Sequence, residues 1–454
     1  MEIKSVIDNG YCIGCGACAY LKAGDLAIGL NKYGQFQAQL LRQNVDTSEI
    51  DQFCPFSNIS KNEDEIGNTL FPENKYIDTL GYIHCTYAGY VKEGDYRLNG
   101  SSGGFGSWFC MEMLRLGKVD AIIHATDSSS GDLLFEYGIS DTAEKVLKNA
   151  KSKYYPVKID QVMDFVKNNK KRYLFVGIPC MVKTLRLLME KDTSLQSSIV
   201  FTLGLVCGHI KSKAFSEMLA WQLGVHPSEL SAIDFRTKLE GYGSNQYGVT
   251  VSKEREGEVE VHVSRPVNEM FGTNWGLGYF KSKACDFCDD VMAETADITI
   301  GDAWLPEYVN DYEGTNILVV RNPMVDDILR DAVREGRICL DNLDPEKVII
   351  SQSSGINHRR KGLQYRLYLN KKNSKPSPCK RVEASDKFSL KFKKIQELRI
   401  QLRDQSHQAF WEAKEQDNWS FFWERMSVLN QRYAELYRTP LYKRIIRKLK
   451  RMLS

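Results

Sequence analysis

Three cysteines within seven residues, Cys12-Ile-Gly-Cys15-Gly-Ala-Cys18, form a C-x2-C-x2-C run whose glycines let the backbone wrap a compact group and turn several thiolates inward. The chemistry this supports is iron-sulfur ligation, with a fourth cysteine arriving from further along the chain, and Cys54-Pro55 supplies it. In two-cluster bacterial ferredoxins another cysteine follows the first run and serves the second cluster. Here Lys22 stands where that ligand would be, and Asn44, Thr47 and Ile50 stand where the second run's cysteines would be. One cluster is erased and the other kept, so Cys12, Cys15, Cys18 and Cys54 are expected to hold a single 4Fe-4S cluster. The competing zinc reading usually needs two matched C-x2-C pairs.

A second group is spread more widely. Lys283-Ala-Cys285-Asp-Phe-Cys288-Asp-Asp carries another C-x2-C pair in what looks like a polar loop. In KRYLFVGIPC a short apolar run is bounded by Gly177 and Pro179, and Met181, Leu185 and Leu188 then recur at helical spacing, so Cys180 sits at a helix start. A helix N-terminus is expected to lower that thiol's pKa and favour the thiolate. The next unit repeats the arrangement: IVFTLGLV ends at Cys207-Gly208, and KAFSEMLAWQLG follows as a helix. If the two strands are parallel, both cysteines lie at the carboxyl edge of one sheet, where ligands bind in open α/β folds. Alone, Cys180 and Cys207 read as small buried apolar residues. Together with Cys285 and Cys288 they complete a second expected 4Fe-4S site. Cys85, Cys110, Cys339 and Cys379 lack such spacing and are read as structural.

Asn99-Gly-Ser101-Ser102-Gly103-Gly104 precedes an amphipathic stretch in which Phe105, Trp108, Phe109, Met113 and Leu116 share a face. A glycine-serine turn opening a helix can receive a cofactor pyrophosphate on its N–H groups. Ser102 as a plain N-cap and the glycines as a tight turn explain the pattern equally well. No GxGxxG or GxxxxGK[ST] occurs, which argues against a Rossmann nicotinamide site and a P-loop.

These residues need a scaffold that brings distant cysteines together. Alternating strand and helix patterns beyond a linker around 59–80 indicate an α/β body, and 454 residues suffice for two or three domains. The expected organisation is a ferredoxin-like domain over 1–75, an α/β body over 80–350 and a helical basic tail over 385–454, broken near Asp417-Asn418 and at Pro440. The composition, 43% hydrophobic with 12 cysteines and no apolar signal core or spanning segment, suggests a cytoplasmic protein that uses thiols for metal rather than disulfides. A net charge of +3 and no reader motif argue against nucleic acid as a partner. The terminal helix from Lys443 is basic and amphipathic, suited to peripheral contact with an anionic membrane at its inner face. A helix packed on the body with a solvated basic face accounts for it slightly better.

The cysteine run, NGSSGGF, SKYYP, FVGIPC, CGHIKS, and CDFCDD leading to ADITIGDAW occur in an order that resembles the beta-subunit family of coenzyme F(420) hydrogenases and dehydrogenases, whose relatives include plant 7-hydroxymethyl chlorophyll a reductase. The resemblance spans about residues 8 to 310. It implies FAD in the α/β body near the glycine-serine turn, with Lys153 and Asp302 lining the pocket. On local sequence alone, Lys153 is equally a solvated charge and Asp302 a turn former. The resemblance also implies an iron-sulfur flavoprotein oxidoreductase that takes electrons from a ferredoxin-type or other redox donor and acts on a small organic substrate. Bacterial chains of this shape resemble members of polysaccharide gene clusters, which suggests a sugar-linked intermediate. The long tail after residue 350 departs from the deazaflavin-using members. The alternative is a non-catalytic electron-carrier or docking subunit.

Overall fold

In the computed structural model, which describes residues 1–129, 131–255 and 257–438, eight strands form one mixed sheet. Its centre is four parallel strands, Ala121–Asp127, Tyr173–Gly177, Ile199–Leu205 and Ile298–Asp302. Phe135–Ser140 closes one side antiparallel, and Asn316–Val320, Cys85–Val91 and Ile338–Asn342 extend the other. The central strands are apolar on both faces because helices cover both. Phe105–Arg115 and Pro323–Arg334 pack on one side, and Pro179–Lys191 buries Met181, Val182, Leu185 and Leu188 on the other. Asp297, just before its strand, accepts from Arg186 at 2.9 Å, from the Thr202 N–H at 2.8 Å and from Asn322 at 3.0 Å, and so joins two helices and a neighbouring strand.

The first 60 residues are built from short pieces: helix Ile3–Asp8 precedes the cysteine run, helix Ala17–Leu21 contains its last cysteine, and the hairpin Leu26–Leu30/Phe36–Leu40 follows. Ile3, Val6, Tyr11, Ile13, Phe53 and Phe56 share one apolar core with Met181, Leu185, Phe287 and Cys288, so this segment is packed directly on the body. The stretch expected as a linker contains the helix Glu63–Leu70. Asn62 accepts from the N–H groups of Asp64 and Glu65, and Glu65 accepts from the Asn62 N–H, a capping box spelled out in the sequence.

The described part of the tail forms two helices, Leu390–Glu415 and Trp419–Tyr437, divided at Asp417-Asn418 as expected. It does not stand apart. Leu402, Phe410, Phe422 and Met426 join a core with Phe215, Met218, Tyr279 and Phe280, because the aromatic residues that gave the tail its helical pattern are its buried face. A three-stranded antiparallel sheet, Leu230–Thr237, Gly248–Arg255 and Glu258–Val263, lies alongside. No helix among the described residues is long and apolar enough to cross a membrane. The basic helix from Lys443, with Pro440, lies outside the described residues.

Candidate redox site

Cys12, Cys15, Cys18 and Cys54 line one cavity, walled otherwise by apolar side chains including Ile3, Val6, Ile13, Ala38, Ile50, Phe53 and Phe56. Gly14 and Gly16 make the turn possible. Both have positive φ, and a Cβ on Gly14 would lie 2.3 Å from Phe36 while one on Gly16 would lie 2.8 Å from the Asp160 nitrogen. The N–H groups of Gly14 and Ala38 donate to the Cys12 sulfur at 3.4 and 3.3 Å. Such bonds suit an anionic sulfur and tune a cluster bound to it.

Cys180, Cys207, Cys285 and Cys288 line a second cavity with Pro179, Ile210, Arg359, Ile13 and Phe56. Cys180 lies in the first turn of Pro179–Lys191, and Cys207 follows the strand Ile199–Leu205. The strands preceding them are parallel, so both cysteines stand at one carboxyl edge. The C-x2-C pair sits on the 3-10 turn Lys283–Phe287 and is not in an exposed polar loop: Cys285, Asp286, Phe287, Cys288, Asp289 and Asp290 are all buried. The carboxylates of Asp286 and Asp289 are neutralised from beyond residue 350 as well as locally. Asp286 meets Lys281 and Arg403 at 2.5 Å each, and Asp289 accepts from the Arg381 N–H at 3.0 Å. The sequence pattern missed this burial because the partners are far along the chain.

Burial dominates the thiols. It raises Cys15 to about 11, Cys285 to about 11 and Cys207 to about 12, and pushes Cys180 well above the ordinary value, with the charges of Cys207, Cys288 and Cys285 adding to the rise. The expected lowering at the helix N-terminus of Cys180 is therefore overturned, because desolvation outweighs a helix dipole. Arg359 is fully buried beside the same sulfurs. Burial works against its charge, but Cys288, Cys207, Cys285 and Cys180 outweigh that and hold its pKa above the usual value.

Among the described residues, the His, Cys, Asp and Glu ligand atoms that come within 4.8 Å of one another in a set of three or more are those of His84, Cys85 and Asp326. No three sulfurs of either cysteine quartet all lie within 4.8 Å of one another. A tetrahedral zinc with bonds near 2.3 Å would draw its sulfurs to about 3.8 Å apart.

The glycine-serine turn lies at the same carboxyl edge, after the strand Cys85–Val91, whose backbone accepts no Cβ at Gly103: one would lie 2.8 Å from the Gly89 oxygen. A Cβ on Gly104 would lie 2.7 Å from the backbone of Tyr96 and Arg97. The two glycines thus serve close packing, and Gly104, not Ser102, is the N-cap of Phe105–Arg115. Ser102 donates to the Thr315 oxygen, Leu116 is exposed, and Asn99 ends a short exposed helix. Ser101 accepts from the Ser152 N–H at 2.9 Å, tying the turn to the segment that holds Lys153. Lys153 donates to the Ala150 oxygen, and burial lowers its pKa.

Arg236, which sequence patterns did not single out, organises this region. It pairs with Asp302 at 3.0 Å, donates to the Ser101 oxygen at 2.9 Å and to the Tyr154 hydroxyl at 3.3 Å, and lies over the Tyr247 ring at 4.1 Å. Its Nε is buried without a partner. Lys238 donates to the carbonyls of Ser102 at 3.1 Å and Glu313 at 2.6 Å, and burial lowers it to about 8. Tyr154 packs on Trp275 with ring centroids 5.0 Å apart, Trp275 packs on His209 at 4.5 Å, and Gly208 is small enough to leave room for the indole.

Residues 86–164 match the N-terminal region, and 170–346 the C-terminal region, of the coenzyme F(420) hydrogenase/dehydrogenase beta subunit. The chain belongs to this family. The family takes its name from subunits of oxidoreductases, and the matched ranges contain the second cysteine quartet, the glycine-serine turn, Lys153, Arg236 and Asp302, but not the first quartet. An uncharacterized protein of Methanocaldococcus jannaschii is 22% identical over 244 residues, 53% of this chain and 81% of its own length. A chain of the F(420)-reducing nickel-iron hydrogenase complex from Methanosarcina barkeri is similar over 65% of this chain and 96% of that one, at 16% identity and a TM-score of 0.49.

Proposed function

We propose that this family member is an iron-sulfur flavoprotein oxidoreductase in which Cys12, Cys15, Cys18 and Cys54 hold one 4Fe-4S cluster, Cys180, Cys207, Cys285 and Cys288 hold a second, and FAD binds beside the glycine-serine turn. Clusters exchange single electrons, and a flavin couples them to two-electron chemistry on an organic substrate. The observation that carries the reading is continuity. Ile13 and Phe56 line both cysteine cavities, so the two quartets are separated by a single layer of side chains. From Cys207, the packed series Gly208, Trp275, Tyr154 and Arg236 leads to Ser101 and Asp302.

The residues suit these guests. Eight buried or half-buried thiols fall into two groups of four, each around its own cavity, the ligand set that a cube of iron and sulfide takes. For the flavin, the fit rests on cations rather than on the glycines: Lys238 is held by carbonyl oxygens, Lys153 by another, and Arg236 keeps a buried N–H unpaired. A pyrophosphate would bring negative charge to Lys238 and Lys153 and an acceptor for the unpaired Nε of Arg236, whose other nitrogens already meet Asp302. Asp302 fixes the guanidinium of Arg236, and Tyr154 packs on Trp275 between Arg236 and the second cavity.

Anaerobically purified full-length protein tests this. About one releasable FAD per chain together with iron and sulfide supports the reading. Iron and sulfide without flavin favours the electron-carrier subunit and overturns the flavin assignment.

A further inference from the structure

Arg359 is the charged residue in the lining of the second cavity, whereas the lining of the first contains none. It comes from the π-helical turn His358–Gly362, a rare geometry that recurs at functional positions, and from chain beyond the 170–346 range of the family match. Its acceptors are three carbonyl oxygens and one sulfur: Cys207 at 3.1 Å, Gly208 at 2.5 Å, Asp290 at 3.2 Å, and the Cys207 Sγ at 3.9 Å. Its Nε is buried without a partner. Of the other buried cations nearby, Lys281 and Arg403 pair with Asp286 and Arg381 with Glu294, while Lys211 donates to the Tyr279 oxygen. Arg359 has no carboxylate partner among the described residues. A buried charge of this kind requires compensation, and the cysteine quartet is what stands beside it.

We propose that Arg359 is a positioning residue that sets the second cluster's reduction potential above the first's, so that electrons entering at the first quartet are drawn inward. The inference rests on the assignment of the second cluster. A thiolate-bound cluster gains negative charge on reduction, and a fixed cation with N–H donors at its edge favours the reduced form. The first quartet has backbone N–H donors but no such cation. The difference in potential therefore arises from a segment outside the matched family ranges.

The test is a redox titration of the loaded full-length protein followed by electron paramagnetic resonance. At the potential where the second cluster is half reduced in the wild type, Arg359→Gln should lower its reduced-to-oxidised ratio at least tenfold, equivalent to about 59 mV for one electron. The first cluster should not move, and Arg359→Lys, which keeps the charge, should recover at least half of the shift. A fully loaded Arg359→Gln protein that titrates like the wild type overturns the proposal, as does an equal shift of both clusters. If Arg359→Gln does not load, comparison of Cys15→Ala with Cys285→Ala decides. The cluster left in Cys15→Ala should titrate higher than the one left in Cys285→Ala, and the reverse order overturns the proposal. Iron content unchanged in Cys285→Ala would instead show that the second-cluster assignment itself has failed.

Discussion

At the scale of single residues, the cysteines carry two separate demands. They must be thiolates to hold iron, yet burial keeps Cys15, Cys207 and Cys285 protonated up to about pH 11 to 12 when nothing is bound. Their folded pKa values lie above the ordinary value of 9.0, so each contributes stability that is present below about pH 9 and lost as pH rises through its folded pKa. Metal-free protein should therefore lose thermal stability between about pH 9 and 12 by more than loaded protein, whose thiolates no longer titrate. Melting curves of both forms at pH 8 and 10.5 check this, and parallel curves would contradict it. Cys285→Ser should remove about four iron atoms per chain and leave the first cluster's signal intact. At the other end of the path, Arg236→Ala should strip flavin while sparing iron, because it removes the group that joins Ser101, Tyr154 and Asp302. Flavin release per chain measures it, and full retention would show that the cofactor lies elsewhere.

At the scale of elements, the site depends on pieces that the sequence shows unequally well. The helix start at Cys180 and the strand before Cys207 were legible, because strand and helix each follow a regular apolar pattern and a proline marks the junction. Burial of the C-x2-C turn was not, since KACDFCDD looks polar until Arg403 and Arg381 are brought to its carboxylates by tertiary packing. Arg236 and Trp275 likewise sit in segments with no motif, and only contact with Asp302 and Tyr154 gives them a role. The glycine-serine turn was open to two readings. Glycine signals close approach but not of what, and here the approaching atoms are the chain's own backbone. Packing at this scale can be measured. Asp297→Ala leaves Arg186 buried without its counter-charge and should cost about 3 to 5 kcal/mol in denaturant unfolding. A loss below 1 kcal/mol would mean that the junction of helix and strands tolerates an isolated guanidinium.

At the scale of the whole molecule, three regions that read as successive segments are interleaved. The cysteine-rich start shares a core with Pro179–Lys191, and the C-terminal helices bury Phe410 and Phe422 against Tyr279 and Phe280 and bring Arg403 to Asp286, between Cys285 and Cys288. Interleaving explains how quartets so distant in sequence have Ile13 and Phe56 in common. It also predicts that damage to the tail is felt at the metal. Phe410→Ala should destabilise the fold by about 3 to 5 kcal/mol and lower the retention of the second cluster before the first, read as iron loss against time on exposure to a chelator. The central claim, that both quartets are cages for iron and sulfide, is tested most directly by iron and acid-labile sulfide counted per chain after anaerobic reconstitution. The account predicts about eight of each. Zinc without sulfide, or a count near zero in protein that remains folded, would contradict it.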